Sequence, residues 1–187
     1  NLTEKNVSVV IDPTLLLDKS QWAKLINKKH ACRKYVLVYA LEINEELIKS
    51  ANKIALEKNL PVLFFDIKNR YNTSIIRKYT ANPIEFLYLI RDAEYIVTNS
   101  FHGTVFSVIF EKLFLCIPHK TTSSRTTDLL DSLGLNDRIL YSFEGYKSIY
   151  NSIEYDIVSD KLSNMRKQSE EFIKQIIDLK EETNNNE

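Results

Sequence analysis

A regular exchange between short apolar runs and stretches of helical spacing constrains this chain more than any other feature. Tyr35-Val-Leu-Val-Tyr-Ala-Leu is a continuous apolar run rich in β-forming residues, the pattern of a strand buried on both faces as in parallel sheets. Asn44 then caps a helix through Lys58, with Leu47, Ile48, Ala51, Ile54 and Ala55 at helical spacing. Leu60-Pro-Val-Leu-Phe-Phe-Asp is the next strand, while residues 68–79 are polar and weakly patterned and predict a variable loop. Pro83 opens a short helix through Arg91 with Phe86, Leu87 and Ile90 inward. Glu94-Tyr-Ile-Val-Thr reads as a third strand, 103–110 as a helix and Leu113-Phe-Leu-Cys-Ile as a fourth strand. Another helix over 125–133 stops at Gly134 in the C′ manner. The alternation implies right-handed βαβ crossovers and an α/β fold, a Rossmann-like doubly wound parallel sheet.

The flanks read differently. Val7-Ser-Val-Val-Ile is an extended run turned at Asp12-Pro13, and Trp22 through Ile26 adds a short helix. Val158, Leu162, Met165, Phe172, Ile173 and Ile176 form one stripe on a long helix, read as core packing, and the tail 181–187 is expected to fray. The expected organisation is a lead-in segment or linker over 1–34 from a preceding N-terminal domain. A Rossmann-like domain follows over 35–180, ending in the long amphipathic helix, and 181–187 is a disordered tail.

Composition removes several function classes. The 25 Lys and Arg balance the 25 Asp and Glu to a formal net charge of zero, which argues against a nucleic-acid partner. An apolar share of 44% suffices for a real core, yet no run approaches the roughly 20 apolar residues of a transmembrane segment. Cys32 and Cys116 lie in different segments without CxxC spacing, so neither a disulfide framework nor a zinc site is indicated, and a reducing compartment fits. His30, His102 and His119 lack metal-site spacing, and no metal is expected. The motifs GxGxxG, GxxxxGK[ST] and GxSxG are absent.

In doubly wound sheets, ligands sit beyond the carboxyl ends of the strands. The strand 94–98 runs directly into Asn99-Ser-Phe-His-Gly-Thr, which places His102 at a βα turn on a helix N-terminus. Free N–H groups there favour an anion, and an imidazole there is suited to proton transfer. Ser100 and Thr104 add hydroxyls, and Gly103 lets backbone approach a ligand or supplies an unusual φ. A structural role remains open at this point: Ser100 as an ordinary N-cap and His102 as a satisfied structural histidine. A second constellation, Pro118-His-Lys-Thr-Thr-Ser-Ser-Arg, enters another helix. Arg125 in that first turn opposes the dipole, which a bound phosphate or carboxylate would explain; pairing with Asp128 is the plainer alternative. His119 and Lys120 are weaker candidates, and Glu85 reads as facing solvent.

Three blocks carry a resemblance: Asn82-Pro-Ile-Glu-Phe-Leu-Tyr-Leu-Ile, Ala93-Glu-Tyr-Ile-Val-Thr-Asn-Ser-Phe-His-Gly-Thr-Val-Phe-Ser-Val-Ile-Phe, and Ser124-Arg with Asp128-Leu-Leu and Leu133-Gly-Leu. They resemble the C-terminal half of the polysaccharide pyruvyl transferase family, and Asp12-Pro-Thr-Leu-Leu-Leu and Ser169-Glu-Glu-Phe-Ile match in the same order. The resemblance implies two Rossmann-like domains facing a cleft, similar to GT-B glycosyltransferases, with this chain as the second domain. It implies a transferase that moves a pyruvyl group from phosphoenolpyruvate onto two sugar hydroxyls. The product is a cyclic ketal in bacterial exopolysaccharide or cell-wall polysaccharide. By the same resemblance His102 and Arg125 match the family's catalytic histidine and arginine, with Ser100, Phe101, Gly103, Thr104 and Ser124 as substrate-binding neighbours. The implied partners are phosphoenolpyruvate, a saccharide acceptor and the N-terminal domain of the same protein, with no cofactor, no metal and no nucleic acid. The expected location is the cytoplasm or the inner face of the membrane, and the chain on its own is expected to be inactive. The alternatives are a GT-B type glycosyltransferase using a nucleotide sugar and a non-catalytic ligand-binding relative.

Overall fold

A computed structural model describes residues 9–26, 34–42, 44–65, 77–79, 82–118 and 124–184. Contacts divide the chain into two compact units, Asp18–Glu154 and Asn1–Leu17 with Tyr155–Glu187. The larger unit carries the sheet. In chain order it runs α1 (Lys19–Lys24), β1 (Val36–Tyr39), α2 (Glu45–Lys58), β2 (Val62–Phe65), β3 (Arg77–Tyr79) and α3 (Pro83–Asp92). It continues with β4 (Tyr95–Thr98), α4 (Phe101–Ile109), β5 (Leu113–Cys116) and α5 (Ser124–Leu133). Two 3-10 turns, Asn136–Arg138 and Phe143–Tyr150, follow.

All strand pairs are parallel and the order is β3-β2-β1-β4-β5, the doubly wound arrangement that the alternation predicts. Cys116 also makes an isolated parallel bridge to Ile139, and Leu140 N–H donates to Cys116 O at 2.8 Å. That bridge places a rudimentary sixth neighbour beside β5. Strand residues alternate between faces, as a period of two requires. Val36 and Val38 join Val97 and Leu115 in a core with Leu47, Ala51, Ile54 and Ala55 of α2, together with Tyr146 and Ile149. Leu37 and Ile96, on alternate positions, are equally buried, so the sheet is covered on both sides. Full burial of each such aliphatic side chain is worth about 1.5–3 kcal/mol.

The helix ends follow from their capping residues. Asn44 Oδ1 accepts from Leu47 N–H at 2.8 Å to start α2, and Asn59 in the left-handed region ends it. Asn82 and Glu85 form a reciprocal capping box at the start of α3, so Glu85 is a cap rather than only a solvent-facing carboxylate. Gly134, at φ 75°, closes α5 as its position predicts.

Several boundaries differ from the sequence reading. Residues 77–79, expected within a variable loop, form the edge strand β3, while the rest of that loop lies outside the described residues. The short helix near Trp22 begins earlier, because Asp18 and Gln21 make a capping box. The turn after Asp12 is a 3-10 helix, Pro13–Leu15, with Asp12 accepting from Thr14 N–H. The turn Phe143–Tyr150 was not anticipated; its identity comes from tertiary ties to α2. Glu46 accepts from Phe143 N–H, and Glu57 accepts from the hydroxyls of Tyr146 and Tyr150, each at 2.7 Å.

The smaller unit pairs the start of the chain with α6 (Tyr155–Asn184). Ile11 N–H donates to Ser169 Oγ at 3.1 Å, and Arg166 Nε donates to Leu15 O at 2.6 Å. The helix runs on through Asn184, four residues into the stretch expected to fray, and 185–187 lie outside the described residues. Along the expected core stripe, Val158 and Leu162 are buried, whereas Ile173 and Ile176 are exposed. Met165 and Phe172 are half-buried, so only the first two positions of the stripe are fully buried.

The Glu57 cluster generates a pH prediction. Donation from the two tyrosine hydroxyls holds the Glu57 carboxyl below its ordinary value, so its stabilisation is present above the unfolded-state pKa and fades as pH falls through the folded-state one. Tyr146→Phe is expected to lower Tm at pH 7, and the gap to the parent chain should narrow below about pH 4. Thermal melts across that range check this; a gap independent of pH would show that the hydroxyl acts without the carboxylate.

Candidate functional site

The strand order reverses between β1 and β4, and the two strands end in register, Tyr39 beside Thr98. Just beyond that point the chain is tied by side chains rather than by the ladder. Thr98 Oγ1 donates to Tyr39 O at 2.6 Å and accepts from Ser100 N–H at 3.1 Å. Asn99 Oδ1 accepts from Leu41 N–H at 2.9 Å, and its amide nitrogen donates to Glu42 O. The loop leaving β1 is thus fixed to the turn leaving β4.

That turn starts α4. Ser100 is its N-cap, extended at φ −92° and ψ 135°, with Oγ accepting from Gly103 N–H at 3.4 Å. The helix begins two residues earlier than expected, which puts Phe101 and His102 in its first turn. Ser100 is 2% exposed, and burial raises the pKa of the neighbouring Tyr39 hydroxyl against a smaller opposing effect of Ser100. Thr104 is fully buried, and its hydroxyl donates to Ser100 O at 3.1 Å. Burial pushes the nearby Cys116 thiol up to about 11, with Thr104 opposing this to a lesser extent, so this cysteine is a packed group and not a nucleophile.

The structure gives Gly103 a further role. Its φ lies outside the positive range, so it is not there for an unusual backbone angle, and it approaches the strand ends closely. A Cβ there would lie 2.3 Å from Thr98 Oγ1 and 2.8 Å from Tyr39 Cδ1. Only glycine lets α4 seat on the ends of β1 and β4.

The remaining candidates face outward. His102 is exposed and Phe101 half-buried, their rings edge-to-face at 5.4 Å. The Arg125 guanidinium lies 4.1 Å from the centre of the Phe101 ring, which brings the second constellation onto the first. Ser124 is the first residue of α5, exposed, with its carbonyl accepting from Thr127 Oγ1 at 3.0 Å. His119 and Lys120 lie outside the described residues. Among the described residues no group of three His, Cys, Asp or Glu side chains could hold a metal ion, and no helix is long and apolar enough to cross a membrane.

Asn99 and Tyr39 organise this turn, yet neither stood out in the sequence. Asn99 carried a signal of a kind, a polar residue between a buried strand and a helix cap. Tyr39 carried none, since it sits within an apolar run like any other.

Comparison with known proteins narrows the reading. The sequence model for polysaccharide pyruvyl transferase matches residues 1–121, a stretch that contains His102 and stops before Ser124 and Arg125. No curated protein matches the sequence. Among solved structures, the glycotransferase of kitacinnamycin superposes with TM-score 0.51 at 12% identity, over 78% of this chain and 41% of that one. The UDP-GlcNAc 2-epimerase of Methanocaldococcus jannaschii gives TM-score 0.43 at 16% identity, over 81% and 42%. The glycosyltransferase SnogD from Streptomyces nogalater gives 0.40 at 11% identity, over 86% and 48%. The chain spans less than half the length of each of these structures, and the likeness to the first shows the Rossmann-like fold.

Gly103→Ala tests the packing of the turn. Helix propensity alone would favour alanine by about 1 kcal/mol. The contacts at Thr98 and Tyr39 predict the opposite sign, a loss of about 1–3 kcal/mol in urea unfolding. A stabilised variant would mean that α4 does not sit this close to the strand ends.

Proposed function

Because the chain belongs to the polysaccharide pyruvyl transferase family, we propose that its His102 turn binds phosphoenolpyruvate and takes part in forming a pyruvyl ketal on a saccharide. The observation that carries this reading is the convergence of an imidazole and a guanidinium on one aromatic ring at a helix N-terminus, beside the switch point of the sheet. Phosphoenolpyruvate presents a carboxylate and a phosphate. A site for it needs cations and backbone N–H groups in an orientation fixed before binding. The capped start of α4 supplies the N–H groups, and Arg125 the cation.

In the proposed chemistry a proton adds to the methylene carbon of the enol phosphate and leaves C2 electron-poor. A first sugar hydroxyl forms a C–O bond to C2 and loses its proton. The C–O bond to phosphate then breaks, and the leaving phosphate takes the electron pair. A second hydroxyl closes the ketal and loses its proton. Of the two protons released, one replaces that delivered to carbon and the other goes to the phosphate. His102 is assigned as the proton donor or as a ligand of the donor phosphate, and Arg125 as the anion clamp. The opposing surface for the saccharide is assigned to the N-terminal domain that the family resemblance implies.

Calorimetric titration with phosphoenolpyruvate, and with a uridine diphosphate sugar as competitor, tests the reading. Phosphoenolpyruvate is expected to bind, with Arg125→Ala weakening it about tenfold or more, as for loss of a charge-assisted contact. Nucleotide binding without phosphoenolpyruvate binding would move the assignment to a nucleotide-sugar glycosyltransferase. His102→Gln in the intact transferase separates its two roles. As proton donor, its loss should lower kcat by about 10²–10⁴ with little change in phosphoenolpyruvate affinity; as phosphate ligand, it should weaken that affinity. Full activity in the variant would remove His102 from the mechanism.

A further inference from the structure

Phe101 stands in the sequence among the substrate-binding neighbours of His102, but its surroundings point elsewhere. It is half-buried in the first turn of α4, on backbone fixed by the Ser100 cap and by the Thr98 and Asn99 ties below it. The Arg125 guanidinium lies over its ring at 4.1 Å, and the His102 ring meets it edge-to-face at 5.4 Å. Phe101 therefore touches both groups assigned to the donor, from two different helices. Arginine carries a long side chain with large rotamer freedom, and an aromatic face held in place is a direct way to restrict it.

We infer that Phe101 is a positioning residue: its ring orients the Arg125 guanidinium beside the His102 turn, and a phosphate-bearing ligand depends on Phe101 through Arg125. This rests on the reading of the turn as the phosphoenolpyruvate site. Backbone capping fixes α4, and the ring passes that fixed geometry to α5, which follows β5 in sequence after residues 117–123.

The test is a double-mutant cycle in the full chain, read by calorimetry with phosphoenolpyruvate. Phe101→Leu should weaken binding about two- to fivefold, the range of an exposed cation–π contact. Phe101→Tyr, which keeps the ring, should restore it to within about twofold, and in an Arg125→Ala background Phe101→Leu should cost almost nothing further. Equal losses with and without Arg125 would make Phe101 a direct ligand contact, and no loss in either background would remove it from the site; both overturn the inference. Thermal melts of the Leu and Tyr variants separate these outcomes from misfolding. Should phosphoenolpyruvate not bind the parent chain, the donor reading fails, and the positioning is decided by NMR. The Arg125 Nε–H resonance should then be ring-shifted in the parent and Phe101→Tyr chains and return toward its ordinary value in Phe101→Leu. An Nε–H resonance that does not move overturns the inference.

Discussion

The hydroxyl of Thr98 and the missing Cβ of Gly103 occupy the same few ångströms, and the turn at the carboxyl ends of β1 and β4 is built on that fit. Tyr39 and Thr98 are neighbours only through the β1–β4 pairing, 59 positions apart in the chain. The Thr98 hydroxyl turns that pairing into a fixed helix start by donating across to β1 and accepting from the backbone of Ser100. Valine would fill much the same volume but leave the Ser100 N–H without this partner inside the fold, at a cost of about 1–3 kcal/mol. The Tyr39 ring runs beneath Gly103 into a cluster with Phe65 and Phe86, and Phe86 meets Phe106 of α4. The helix is thus held by polar ties at its start and by aromatic packing one turn and more along.

Position along the helix then separates the residues of the turn. From Gly103 onward α4 is buried on every face, with Gly103 against the Thr98 and Tyr39 side chains and the Thr104 and Ser107 hydroxyls bonded to the helix's own backbone, while Phe101 and His102 lie in its less buried first turn. The hydroxyls of Ser100 and Thr104 sit close to His102 in sequence but are engaged in capping and back-bonding. Ser100 is a cap, and because it caps, the residues after it are presented in one orientation. Pre-organised donors of this kind require no rearrangement when charge arrives.

What the sequence made legible were elements whose signal is local. β1 and β4 were readable because a strand covered on both faces is a nearly continuous apolar run, and α5 because Gly134 sits where a left-handed residue must end it. β3 is three residues, Arg-Lys-Tyr, and acquires its identity only by pairing with β2. The turn Phe143–Tyr150 owes its place to carboxylates nearly a hundred positions away on α2. Gly103 was visible as special, since glycine is scarce here, but the reason was invisible: its constraint is the side chain of Thr98, not its own φ. The candidate site divides in the same way. His102 is announced by its position after a strand, whereas its juxtaposition with Arg125 exists only in three dimensions.

Arg125 shows how far local physics reaches. A cation in the first turn of a helix opposes the dipole by about 0.3–1 kcal/mol. The Phe101 ring beneath the guanidinium contributes about 0.5–1 kcal/mol in the other direction. The two are of similar size, so the ring accounts for where the guanidinium lies even though its place in the helix is unfavourable. Under the proposed function the anionic donor adds to this balance: its charge would meet the α4 N-terminus, the first turn of α5 and the guanidinium together.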